Sequence, residues 1–122
     1  MVVNTKITLP TVDTSIAINW SNMTITIPDG VNVIRVLTYA WHDNGLDVGC
    51  NFTITHPDSG RSIDCYNGSS NNSINYYIKV TPGMIYDISW EDWGEMDEWY
   101  TECEIYYSAS INTKQTSNDL TY

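Results

Sequence analysis

Tyr77-Ile-Lys-Val-Thr-Pro-Gly-Met-Ile-Tyr-Asp-Ile-Ser-Trp90 consists of two alternating apolar runs separated by a Pro-Gly pair. Ile78 and Val80 lead in, and Met84, Tyr86, Ile88 and Trp90 lead out. Proline cannot donate to a sheet ladder and glycine tolerates positive φ, so the pair ends one strand and lets a second fold back. A three-residue loop with Gly83 in the left-handed region predicts a hairpin pairing Ile78 with Tyr86 and Tyr76 with Ile88. Ile25-Thr-Ile-Pro-Asp-Gly-Val-Asn-Val-Ile-Arg-Val36 has the same form. Both stretches read as strand, turn and strand, and the chain reads as all-β.

Alternation extends outward from these two stretches. Ile16, Ile18 and Trp20 mirror Met23, Ile25 and Ile27 about Ser21-Asn22, which predicts a hairpin pairing Trp20 with Met23, Ile18 with Ile25 and Ile16 with Ile27. Val31 to Trp41 is apolar on both parities apart from Arg35 and Thr38, as a central strand would be. Cys50, Phe52 and Ile54 share one face of the next run, His56-Pro-Asp-Ser-Gly60 closes it, and Ile63 and Cys65 align in the run after that. Asn67 to Ser73 is a polar loop that supports no core of its own. The last strand runs from Trp99 to Ile111. The spacing predicts an antiparallel two-sheet sandwich or jelly roll of about eight strands. It forms one domain over residues 1–111, followed by a polar tail over 112–122.

Five basic against fifteen acidic side chains give a net charge of −10, which disfavours nucleic-acid phosphate and anionic membranes as partners. Acidity is first of all a solubility device. Its functional readings are attraction to a cation, a basic partner, or mimicry of nucleic acid by an inhibitor. No apolar run is long enough for membrane insertion, and the N-terminus has no signal-peptide pattern. Nine Tyr and five Trp against one Phe favour aromatics that pack at one end and meet water at the other.

Between Asp87 and Glu104 the carboxylates are dense and interleaved with tryptophan. Hard cations take several oxygen ligands, so Glu91, Asp92, Glu95, Asp97 and Glu98 are the candidate metal ligands and calcium is the one cofactor the segment admits. EF-hand spacing fails, because the loop glycine falls on Asp92 or Met96. A solvated acidic loop is the default reading. Exposed indoles also stack on the apolar faces of sugars, which makes Trp93 and Trp99, supported by Trp41 and Tyr66, a candidate ligand-binding set. Filling the core is the competing role for each ring.

A carboxylate pair working as general acid and base ranks last, since the chain shows no cleft-forming insertion. Three cysteines exclude a fully paired framework. Cys50 and Cys65 flank one turn, and a four-residue loop His56 to Ser59 would set them opposite each other, although free buried thiols are the default. His42 and His56 read as turn residues, and neither has metal-ligand spacing.

Ile27-Pro-Asp-Gly-Val-Asn-Val-Ile-Arg-Val36 followed by Val80-Thr-Pro-Gly-Met-Ile-Tyr-Asp-Ile88 resembles small β-sandwich modules of phage tail-associated and bacterial surface proteins. Where the glycine-rich versions run into polyglycine, this chain has Thr38-Tyr-Ala-Trp-His-Asp-Asn-Gly45, so no site residues carry over. The resemblance implies a non-enzymatic structural or recognition module of a phage particle or bacterial surface, in a virion or extracellular setting, with a protein partner or cell-surface glycan and a homo-oligomer as a compatible form. The alternatives are a carbohydrate-binding module using Trp93 and Trp99, and the acidic inhibitor.

Overall fold

The computed structural model describes residues 6–122. Among the described residues eight strands form: β1 Thr14–Ser15, β2 Thr24–Thr26, β3 Val33–His42, β4 Val48–Thr55, β5 Ser62–Asn67, β6 Asn72–Lys79, β7 Ile85–Gly94 and β8 Trp99–Tyr107. They build two four-stranded sheets, ordered β1-β8-β3-β6 and β2-β7-β4-β5. Every strand pair is antiparallel. First pairs with last, second with last but one, and so on inward, as in one long hairpin rolled on itself. That nesting makes the sandwich a jelly roll. β3 is central, as its two-sided apolar sequence requires. No helix among the described residues is long and apolar enough to cross a membrane.

Period-two alternation sorts side chains to two faces. Ile34, Val36 and Ile78 of one sheet meet Phe52, Ile54 and Ile88 of the other in the buried interior. The facing residues are β-branched or aromatic, which suits a pleated half-buried surface. Slipping any strand by one residue would expose its apolar set.

The two Pro-Gly turns do not make hairpins. β6 and β7 lie in different sheets, as do β2 and β3, so each turn carries the chain across the sandwich. Ile78 pairs with Ile34, and Tyr86 with Ile25. The turns also hold each other: the Gly83 N–H donates to the Ile27 carbonyl at 2.9 Å, and the Ile27 N–H to the Met84 carbonyl at 2.9 Å. Gly83 has φ of 75°, as the turn reading requires. The N-terminal hairpin keeps its predicted register only at the tip, where Asn19 bridges Thr24. Its arms then part, because the Ile16 N–H donates to the Ile105 carbonyl at 2.8 Å while Ile25 pairs in the other sheet.

The last strand stops at Tyr107, and residues 112–122 are not a tail outside the domain. After a 3-10 turn at Ile111–Thr113, the chain returns along β6, with the Lys79 N–H on the Asn118 carbonyl and the Leu120 N–H on the Lys79 carbonyl, both at 2.8 Å. Leu120 is fully buried in the core. Arg61 fastens the segment through the Tyr122 carbonyl at 2.6 Å and the Asp119 carbonyl at 3.1 Å.

Candidate functional site

The four aromatics of the candidate ligand set stand on three surfaces. Trp93 and Tyr66 meet on the outer face of the β2-β7-β4-β5 sheet. Trp41 is on the outer face of the opposite sheet, across from Tyr100. Trp99 is 38% exposed and shares register with buried His42 at one end of the sandwich.

Trp93 and Tyr66 form the only ring pair made from that set, with centroids 5.8 Å apart and planes inclined by 28° among the described residues. Two glycines give the rings room to lie down. Trp93 pairs with Gly49 across β7 and β4, and a Cβ on Gly49 would overlap the indole. A Cβ on Gly68 would likewise overlap the Tyr66 ring, which is 52% exposed. The backbone under Tyr66 is anchored from inside, because the Tyr76 hydroxyl donates to its carbonyl. Buried Asn67 pins the turn that follows, donating to the Thr38 and Asn72 carbonyls at 3.3 and 2.9 Å and accepting the Ser69 N–H at 3.2 Å. The polar 67–73 loop is therefore tied down at its first residue.

Hydrogen-bonding groups flank the rings. Asn51 lies opposite both Tyr66 and Glu91, with its Oδ1 buried and without a partner. The Thr53 hydroxyl donates to Asp64 at 2.7 Å on the same face. An aromatic surface edged by carboxylate acceptors can hold a ring that is apolar above and below and carries hydroxyls at its rim.

The five candidate metal ligands are spread out. Glu91 faces outward beside Asn51, and Asp92 accepts the Thr101 hydroxyl at 2.6 Å, joining the two sheets at their open end. Glu95, Asp97 and Glu98 belong to the β7–β8 crossover, which is clamped to the β3–β4 loop. The Glu95 N–H reaches the Asp47 carbonyl at 2.9 Å, Asn44 Nδ2 reaches Asp97 at 2.9 Å, and the Glu98 carbonyl accepts the Asp43 N–H at 3.1 Å. Among the described residues no three histidine, cysteine or carboxylate side chains converge as a cation-holding group.

His42 completes this clamp. It is fully buried, its Nε2 bonds the Met96 carbonyl at 2.7 Å, and its Nδ1 accepts the Asn44 N–H at 3.0 Å. A carbonyl only accepts, so the proton sits on Nε2. Asp43 approaches Nδ1 at 3.2 Å, but that contact becomes an ion pair only on a protonated ring, and Nδ1 is already occupied by Asn44. His56 is also buried, between Tyr86 and Tyr122 with centroids 5.7 and 5.3 Å away, and its Nδ1 accepts the Asp58 and Ser59 N–H groups. Both histidines are more than turn residues: each organises its loop from beneath.

Sequence reasoning singled out neither Tyr39 nor the Glu102–Glu104 pair. These side chains, with Leu37 and Ser73, line a recess of about 180 Å³ on the outer face of the β1-β8-β3-β6 sheet. Glu104 is pushed up by its hydrogen bond to Glu102, then by burial. Glu102 is held down by its hydrogen bond to Glu104 and by the Tyr100 hydroxyl, which donates to it at 2.6 Å. The two carboxyls are pushed in opposite directions, so on acidification Glu104 takes up a proton before Glu102 does. The signal was available in the i, i+2 repetition of Tyr100, Glu102 and Glu104, which places all three on one face.

The cysteines are unbonded. Cys65 pairs with Phe52 and Cys50 with Asn67, so the loop is two residues longer than direct opposition of the thiols would need. The chain matches no known protein family, curated protein or solved structure.

Proposed function

We propose that the chain is a non-enzymatic recognition module that binds a glycan on the Trp93–Tyr66 surface. The observation that supports this reading is the ring pair itself, laid over Gly49 and Gly68 on a solvent-facing sheet. A core-filling tryptophan would sit on the interior parity, as Trp90 does opposite Phe52. Trp93 has the exterior parity, opposite a glycine that leaves it a shelf. The jelly roll is an architecture common to lectin and particle-shell domains, in keeping with a module of a phage particle or bacterial surface that meets cell-surface sugar. Net charge of −10 favours neutral or cationic ligands on this face over phosphate-rich ones.

A glycan array followed by titration calorimetry tests the reading. Losing a sugar-stacking ring costs about 1.4 kcal/mol, which is tenfold in affinity. Trp93→Ala and Tyr66→Ala are expected to weaken binding by about that factor or more, while Trp41→Ala, on the opposite sheet, leaves it unchanged. Equal loss from all three variants, or binding that survives Trp93→Ala, would overturn the assignment.

A further inference from the structure

A recess of about 520 Å³ lies at the opposite end of the sandwich from Trp93, where β3 begins and β6 ends. Asn32, Lys79, Asn112, Lys114, Gln115 and Thr121 line it, over a floor of Val33 and Val80. β3 spans ten residues, so about 30 Å separates its two ends and the recess is independent of the aromatic surface.

Charge is what sets this recess apart. The chain has five basic residues, and two of them, Lys79 and Lys114, stand here. Arg35 is paired with Asp13 at 3.0 Å, and Arg61 is spent on the carbonyls of Asp119 and Tyr122. Neither lysine makes an ion pair among the described residues. Lys114 holds its Nζ 5.6 Å from the centre of the Tyr77 ring, which leaves its donors free on the far side. Asp119, whose carboxyl is held down first by its hydrogen bonds from Thr121 and then by the Lys79 and Arg61 charges, is engaged by the Thr121 N–H at 2.9 Å and the Thr121 hydroxyl at 2.6 Å.

The remaining lining divides into framework and open groups. Asn112 is fully committed, accepting the Asn32 and Val33 N–H groups at 2.6 and 3.2 Å and donating to the Gly30 carbonyl at 3.4 Å. It fixes the wall of the recess. The side-chain amides of Asn32 and Gln115 form no hydrogen bond among the described residues, and the Thr113 hydroxyl, which donates to the Ser110 carbonyl at 2.9 Å, keeps its acceptor capacity.

We infer that this recess binds a carboxylate-bearing saccharide, with Lys79 and Lys114 on the carboxylate and the Asn32 and Gln115 amides on ring hydroxyls. A bare anion would use the two ammonium groups and leave the amides idle. A neutral sugar would use the amides and leave both recess lysines idle. The volume falls in the range of small-ligand sites and holds one or two sugar rings.

Amide chemical shifts followed during titration with sodium glucuronate, with glucose and inorganic phosphate as parallel probes, test the inference. Glucuronate is expected to shift the amides around Asn32, Lys79 and Gln115, with affinity falling as salt is raised and at least tenfold in Lys79→Gln/Lys114→Gln. Lys114→Gln alone, on an exposed side chain outside the ladder, gives the same direction if the double variant does not fold. Trp93→Ala is expected to leave the titration untouched, so failure of the aromatic surface and failure of the recess are separately visible. Glucose binding as tightly as glucuronate overturns the role of the lysines, and phosphate binding as tightly overturns the saccharide. No shift at millimolar glucuronate overturns the site.

Discussion

The Tyr86 hydroxyl donates to the Leu120 carbonyl at 2.6 Å and accepts the Thr81 N–H at 2.9 Å, tying the second Pro-Gly crossover to the C-terminal segment inside the core. Both side chains are fully buried. Tyr86→Phe keeps the ring but leaves the carbonyl and the N–H without a partner, which costs about 1–3 kcal/mol for a buried group. The expected result is a lower urea midpoint with unchanged slope.

Leu120→Ala is expected to cost about 2–5 kcal/mol, the range for emptying a buried leucine site. A chain ending at residue 111 loses that side chain, the pairing with Lys79 and the partners of Arg61 together. It is expected to melt well below the full chain or fail to fold, whereas truncation of an unpacked tail would leave the transition where it was. A melting scan distinguishes the two.

The positions where sequence and structure part show what alternation encodes. Facing is local, so the parity of Phe52, Ile54 and Ile88 was legible, as was the tip register at Asn19 and Thr24, whereas β3, apolar on both parities, did not reveal that Ile34 and Val36 face inward. Partner choice is not local. A Pro-Gly turn that reverses a strand within one sheet and one that carries it to the other use the same residues, so the hairpins read at Pro28-Asp29-Gly30 and Pro82-Gly83 are crossovers. Leu120 is a lone apolar residue in a polar run, with no period to reveal it. Trp93 and Tyr66 were legible as candidates, but their grouping apart from Trp99 and Trp41 depends on strand order. His42 and His56 look like loop residues because their loops are built around them.

The three thiols are expected to be inert in the native protein. Burial, with Asp92 adding to it, pushes Cys50 up to about 11, and burial, with Asp64 adding to it, pushes Cys65 up to about 12. Cys103 is raised further, again by burial first. Thiolate is the reactive form, so at neutral pH almost none is present. A disulfide-exchange reagent should count no fast thiol in native protein and three after denaturation. Fast native reaction at Cys65 would contradict this packing.

The Glu102–Glu104 pair sets a pH signature with two opposing limbs. Glu104, raised above its ordinary value of 4.5, contributes stability that is present below that value and is lost as pH rises through its folded value. Glu102, lowered, contributes stability that is present above its ordinary value and is lost as pH falls through its folded value. The pair is therefore most favourable with one proton, on Glu104, in mildly acidic solution. Glu104→Gln keeps a hydrogen-bond donor toward Glu102 at every pH and removes the upper limb. Urea midpoints measured from acid to neutral pH should rise relative to wild type at the neutral end. A constant offset across the range would sink the assignment of that proton to Glu104.

Gly49 and Gly68 separate the shape of the aromatic surface from the stability of the fold. A Cβ at Gly49 would overlap Trp93 and also come within 2.9 Å of the Asn67 carbonyl, which belongs to the backbone and cannot swing aside. Gly49→Ala should therefore displace the indole and cost about 1–3 kcal/mol, as overpacking does. At Gly68 the three nearest obstructing atoms all belong to the exposed Tyr66 side chain, which can rotate away. Gly68→Ala should cost well under about 1 kcal/mol, since surface changes of this kind are small. If the rings bind sugar as a pair, both variants lose affinity although only one loses stability. Near-normal glycan binding by a stably folded Gly68→Ala protein would mean that the Tyr66 ring does not need to lie where the glycine lets it.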